Sequence, residues 1–393
     1  MMRTLKLLVL AAPALLLAGC EFGTKVVEQV GPRGTGMDLV AQKRNIPPVA
    51  VVPPPPYELT ADMRGGPTAG ETYQNVQVLK DISAEEFNYL MASITEWVAP
   101  ADGSVPNGGC NYCHNPENMA SDELYTKVVA RKMLQQTLAI NSKWTPHFSL
   151  SKNASTGGAG VTCYTCHRGK PVPVNTWSDP LPEPRNITNN KHYQNTPLKA
   201  TGWSSLPFNA QSLYFQGNAV IPVGGTNAFP HPNMKKGLDG VSIQQTEALY
   251  SLMMRMSGGL GVNCTYCHNS QNFGTWTHSR PQRVNAWYGI RMVRDINNNY
   301  INTLAPVFPK NRLGPAGDPL KVNCATCHQG VNKPLNGYPM LKDYPMLKGS
   351  YAVTPLKPPV AASPAIAAAG PAAEAAATVT AAPTPVVEST PTS

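Results

Sequence analysis

The sequence predicts a mainly α-helical fold with much irregular backbone, arranged as two pseudo-symmetric halves. Three observations carry this. Eight of the nine cysteines fall into four Cys-x-x-Cys-His signatures, the signatures alternate between two kinds, and an apolar helix-forming stretch precedes each one. With 39 prolines and 32 glycines in 393 residues, much of the remaining backbone is irregular.

The signatures are Cys110-Asn-Tyr-Cys113-His114, Cys163-Tyr-Thr-Cys166-His167, Cys264-Thr-Tyr-Cys267-His268 and Cys324-Ala-Thr-Cys327-His328. Two thiols at this spacing add to the vinyl groups of a porphyrin, and the adjoining imidazole becomes the proximal iron ligand. One match is compatible with a zinc half-site or a redox dithiol, but four, with no cysteine pair lacking its histidine, leave those readings little room. The expected cofactors are four covalently bound haem c groups, in a fold where a preceding helix packs each haem. The first and third sites share Tyr-Cys-His-Asn and the second and fourth share Thr-Cys-His-x-Gly, so each half carries an A-type and a B-type site. The spacing agrees, with 53 residues from His114 to His167 and 60 from His268 to His328.

Taken in chain order, residues 1–19 have a basic start, an apolar run from Leu7 to Leu17 and small residues before Cys20. The run is too short to span a bilayer and reads as an export signal. Leu17-Ala-Gly-Cys20 resembles a lipobox, which predicts lipidation at Cys20 and a membrane attachment through acyl chains. Residues 20–56, with Pro47, Pro48 and Pro53–Pro56, are expected to form an extended tether with little core of its own. The haem-pair halves are expected at 57–200 and 201–351, and the Ala/Pro-rich tail 352–393 as a disordered extension.

Four irons need eight axial ligands, of which His114, His167, His268 and His328 supply four. Before the first signature, Ser83-Ala-Glu-Glu86 reads as a capping box opening a helix, with Met91 on its apolar stripe. Before the second, Asp122 is the candidate cap of a helix that carries Met133 and runs to Ile140-Asn141. Before the third, Ser242-Ile-Gln-Gln245 repeats the capping pattern, and Met253 shares the apolar stripe; Met254 and Met256 are the fallbacks. Methionine on such a stripe is ordinarily core filler, and the demand of each iron for a sixth ligand is what singles these out. The fourth helix, about Arg283–Tyr300, breaks the pattern. Aligning Ile296-Asn297 with Ile140-Asn141 puts Gly289 where Met133 stands. The first half has an unmatched histidine, His147, which solves the shortage by crossing to the fourth haem; Met292 is the local rival, and His192, His231 and His278 are weaker candidates.

Net charge is +9, yet the stretch from Asp81 to Glu123 holds eight acidic residues and no Lys or Arg. A negative surround at the first site of a positive protein suits docking of a basic redox partner. No nucleic-acid partner is expected.

Together, Gly31-Pro-Arg-Gly34, Ala130-Arg-Lys-Met133, Trp144 and His147, Val161-Thr-Cys163, Leu260-Gly-Val-Asn-Cys264 and Ala286-Trp-Tyr-Gly-Ile-Arg-Met-Val-Arg-Asp295 resemble the tetrahaem cytochrome subunit of purple-bacterial photosynthetic reaction centres. The likeness runs from about Gly31 to Tyr351, and includes the fourteen residues from Met133 to His147. It implies three His/Met haems and a bis-His fourth haem using His147, with the third haem nearest a bacteriochlorophyll special pair and the first farthest out. It further implies an electron-transfer subunit, not an enzyme, on the periplasmic side of the inner membrane. There it sits on the L and M membrane subunits and is fed by a soluble cytochrome c or high-potential iron–sulfur protein. The loops Ala101–Gly109 and Ser151–Gly160 are longer than the family pattern. A multihaem reductase would need an iron with an open distal position, and a respiratory conduit would lack the reaction-centre partner.

Overall fold

A computed structural model describes residues 23–148, 160–179, 195–219, 221, 243–273, 277–279 and 281–349. Cys20, His192, His231, Ser242 and the 352–393 tail lie outside them, as does most of the Ser151–Gly160 loop. The described chain is mostly helix and irregular backbone. Among these residues no helix is long and apolar enough to cross a membrane.

Its helices are α1 (Ala69–Thr72), α2 (Ala84–Val98), α3 (Tyr125–Lys143), α4 (Thr145–Phe148), α5 (Cys163–His167), α6 (Ala210–Phe215), α7 (Ile243–Leu260), α8 (Gln282–Ile296) and α9 (Cys324–His328). The α2 start matches the sequence expectation. Ser83 Oγ accepts from the Glu86 amide at 3.0 Å, and the Glu86 carboxylate accepts from the Ser83 amide at 3.4 Å. The α3 start does not. Leu124 precedes the helix with no side-chain cap, and Asp122 instead pairs with Arg131 at 2.7 Å and Lys127 at 3.5 Å while accepting from Asn75 at 2.9 Å. Two cations one turn apart on α3 outcompete a single amide for that carboxylate. The fourth helix also ends differently from the expected Tyr300. The α-helix stops at Ile296, and Asn297–Ile301 continues as a π turn.

The two hydrophobic cores do not follow chain order. One gathers Tyr89, Leu90 and Trp97 of α2 and Leu134 and Leu138 of α3 with Leu335, Leu341, Tyr344 and Leu347 from the end of the described chain. The Tyr344 ring sits 4.6 Å from Trp97 and 5.1 Å from Tyr89, centroid to centroid. Burial of such side chains contributes about 1.5–3 kcal/mol each. The other core joins α6, α7 and α8 through Tyr214, Leu252, Ile290 and Ile296, and takes in Ile140 and Val161 from the first half.

The described part of the expected tether is a strap lying on the protein. Lys25–Gln29 (β1) and Asp38–Gln42 (β2) pair as an antiparallel hairpin, and Met37 beside it is fully buried. Asn263 and Thr265 donate to Asp38 O at 2.9 and 2.8 Å, and the Ser270 amide donates to Thr35 O, all at the third signature. At Gly36, φ is +60° and a Cβ would run into the Ser270 side chain, which favours glycine at this approach. Pro47 then lies over Gly330, just past the fourth signature. Tyr164 of the second signature donates to Val51 O at 2.8 Å, and Tyr57 packs edge-on against Tyr89 of α2, 5.3 Å away. Hydrophobic contacts of Ala50 and Val52 with the first core hold the strap down despite its prolines. Along its length it meets the third, fourth and second signatures and then the helix leading into the first.

Candidate functional site

Each B-type signature is a short helix, α5 or α9, whose N-terminal approach is clamped by an asparagine from the preceding long helix. Asn141 accepts from the Val161 amide at 2.8 Å and donates to Val161 O at 2.9 Å. Asn297 treats Val322 alike, at 2.9 and 3.0 Å. After each histidine comes a residue in the left-handed region, Arg168 or Gln329, then a glycine whose amide bonds the preceding A-type helix or its end, to Trp97 O or Gly259 O, at 2.9 Å in both. The shared Ile-Asn pair was the sequence signal for these clamps, although sequence reading used it only to align the halves.

The five histidines singled out by sequence are held in one way. Nδ1 lies within hydrogen-bonding distance of a backbone carbonyl in His114 (Met119, 3.0 Å), His167 (Lys170, 2.8 Å), His268 (Phe273, 3.2 Å), His328 (Val331, 3.0 Å) and His147 (Asn285, 2.8 Å). A carbonyl can only accept, so Nδ1 carries the proton and Nε2 keeps its lone pair for a metal. Burial pushes all five imidazoles down, favouring this neutral form, and takes His268 and His328 to about 4, with Arg283 adding to the effect at His268 and His147 at His328. His278, by contrast, is exposed.

His147 is brought to the second half. Its ring lies against α8, where a Cβ on Gly289 would stand 2.9 Å from Cε1, and its centroid is 6.3 Å from that of His328 with the planes at 85°. The missing methionine position is therefore occupied by a ring that needs a glycine beneath it.

Met91 and Met133 are half-buried on the faces of α2 and α3 that the stripes predicted. On α7, Met256 is buried in the second core and the Met254 methyl approaches Gly202, whereas Met253 stays partly buried at the edge of that core. A cavity of about 1330 Å³ of atom-free space, partly open to solvent, lies between Met133 and His167 with Cys163 and Cys166 on its wall. Its lining is mostly apolar. That size, lining and donor set fit a haem at the second signature. Among the described residues no three His, Cys, Asp or Glu side chains gather to hold a bare metal ion.

Cys110, Cys113, Cys163, Cys264, Cys267 and Cys324 are free, and the Cys166 and Cys327 sulfurs lie side by side, with Cα atoms 4.4 Å apart. Packing of α5 on α9 brings these two second cysteines together across 161 residues of sequence. Burial raises the thiols of Cys113 and Cys163 to about 11 and of Cys267 and Cys324 to about 12, keeping them protonated.

Residues 22–348 match the family described as photosynthetic reaction centre cytochrome C subunit. The photosynthetic reaction center cytochrome c subunit of Rubrivivax gelatinosus is 44% identical over 86% of this chain and 87% of its own length. That of Thermochromatium tepidum is 44% identical over 85% and 78%, and that of Roseobacter denitrificans 36% identical over 80% and 83%. Signatures, clamps and relatives agree, and the chain belongs to the photosynthetic reaction centre cytochrome c subunit family.

Proposed function

We propose that this chain carries four covalent haems in a row and re-reduces the photo-oxidised special pair of a reaction centre, taking electrons from a soluble cytochrome c or high-potential iron–sulfur protein. The observation that carries the reading is the set of five histidines with Nδ1 committed to backbone and Nε2 free, one of them delivered from the other half. Bound haem supplies reversible one-electron chemistry. Everything else is done by the chain, which fixes ligands, excludes water and sets the order of sites.

The cysteines Cys110, Cys113, Cys163, Cys166, Cys264, Cys267, Cys324 and Cys327 provide the thioethers. His114 with Met91, His167 with Met133 and His268 with Met253 are the first three ligand pairs, and His328 with His147 is the fourth. The His147 and His328 rings lie 6.3 Å apart, centroid to centroid, so both would be in reach of one haem iron at the fourth site. A bis-His site has a lower potential than its His/Met neighbours. The repeated asparagine clamps support two pseudo-symmetric haem-pair halves.

The strap supports an order of third, fourth, second and first site. Cys20 precedes the first described residue by three positions, at most ~10 Å of chain, so a lipid on Cys20 would hold the strap, which crosses the third and fourth sites before the first, toward the periplasmic membrane surface. Asp81, Glu85, Glu96, Asp102 and Glu117 are exposed around α2 and the first signature, which suits a basic donor at the far end. Flash excitation of native membranes tests the reading. Haem α-band bleaching should follow each flash as the special pair recovers; membranes whose special pair recovers with no haem oxidation would refute it.

A further inference from the structure

The cavity beside Met133 and His167 is walled in part by the opposite half. Ile301, Leu304, Phe308 and Arg312 line it from the second half, and Tyr112 of the first signature faces the Arg312 guanidinium. Arg312 is the one Lys or Arg among the described lining residues, no Asp or Glu lines the space, and none of the ion pairs among the described residues involves Arg312. Arg312 is half-buried at this partly open cavity, and guanidinium is the group best shaped to take a carboxylate in a fork. A haem presents an apolar plane with two carboxylates on one edge.

We propose that Arg312, with the Tyr112 hydroxyl beside it, receives the carboxylate edge of the haem attached at Cys163 and Cys166. The inference rests on the four-haem reading above. It makes the exchange between halves reciprocal: the first half lends His147 to the fourth site, and the second lends Arg312 to the second. The cation disfavours the more positive, oxidised state of the nearby iron, so Arg312 holds that potential up.

The test uses the full chain in its membrane, with all four midpoint potentials measured by spectroelectrochemical titration. A parallel Met133→His variant identifies the second-site haem, because its potential falls when Met is replaced by His. Arg312→Gln should lower that same potential by at least the tenfold change in oxidation equilibrium that corresponds to about 59 mV for one electron. Arg312→Lys should recover part of the loss, and Tyr112→Phe should give a smaller fall at the same haem. Four unmoved midpoints in Arg312→Gln, or a shift confined to another haem, would overturn the proposal. Should Arg312→Gln not assemble, Arg312→Lys and Tyr112→Phe decide it, and no movement at the second haem in either overturns it. Fewer than four covalent haems in the unsubstituted chain would defeat the parent reading along with this one.

Discussion

Helices α3 and α8 are counterparts that end alike and differ in the middle. Both reach an Ile-Asn pair whose asparagine bonds the backbone two residues before a B-type signature. Midway, α3 carries Met133 facing its own cavity, while α8 carries Gly289 beneath a histidine from the other half. The two helices thus share a scaffold and differ in two linked places: a ring is present at one and a side chain absent at the other. On the proposed ligand set, a single replacement at either place would leave one iron short of a ligand.

That gives the largest expected effect. Gly289→Leu should expel His147, since even a Cβ there meets the ring at 2.9 Å, and one reduced haem should then bind carbon monoxide where the unsubstituted protein has none that does. A helix interior ordinarily gains about 1 kcal/mol on losing glycine, so helix stability and ligation move in opposite directions. His147→Met is the gentler form. One midpoint should rise and three stay put; a uniform shift, or none, would break the reciprocal picture.

The second difference lies three residues before each B-type signature. There the second half buries Lys321 completely, over the Trp177 ring and paired with Asp179 at 3.2 Å and with Asp318. The first half has Gly160, pressed against Asn141 and Leu341 with no room for a side chain. Lys321→Ala leaves two carboxylates facing each other without a cation, and should cost about 3–5 kcal/mol in denaturant unfolding. Adding Asp179→Asn and Asp318→Asn should return much of that loss. If the single variant is nearly neutral, the ion cluster does not secure the fourth signature.

The asparagine clamps sharpen the likeness instead of the difference. Asn141→Ala and Asn297→Ala each orphan buried backbone groups, at roughly 1–3 kcal/mol for each group left unpaired. Each should loosen its own B-type site, read as faster exchange of the Val161 or Val322 amide, while the other half is unmoved.

Much of this was legible from residues. Cys-x-x-Cys-His is a local pattern set by porphyrin geometry, and α2 announced itself through a capping box that needs only four consecutive residues. The approach of His147 to the fourth signature was legible as well, by subtraction, because Gly289 stands where a methionine was expected, with Met292 as the local rival. What escaped depends on long-range pairing. The Asp122 carboxylate had a local role available as a cap, and cations further along α3 took it. Proline-rich residues 43–56 have the composition of a linker, and only the surfaces of the signatures they cross turn them into a strap. Arg312 carries no motif at all; its meaning comes from a cavity whose other walls lie as far back as Ile94.

The smallest expected effect concerns the first signature, which has an acidic surround that the third lacks. Asp122 is neutralised by Arg131 and Lys127, and Glu123 accepts from Asn115 at 2.5 Å, so neither is free to face a partner. Glu86 is committed to the α2 cap, and reversing it would damage the helix start as well as the surface. The clean test is Glu85→Lys with Glu117→Lys, both exposed. Steering by charge acts over the Debye length, ~30 Å at 0.01 M ionic strength and ~10 Å at 0.1 M. The double variant should therefore slow second-order reduction by a basic donor a few-fold at the lower salt, with the two rates converging as salt rises. Stability and all four midpoints should stay near their original values. An unchanged or faster rate at low salt would mean that the donor approaches elsewhere or is not basic, and the contrast between the first and third sites would lose its functional meaning.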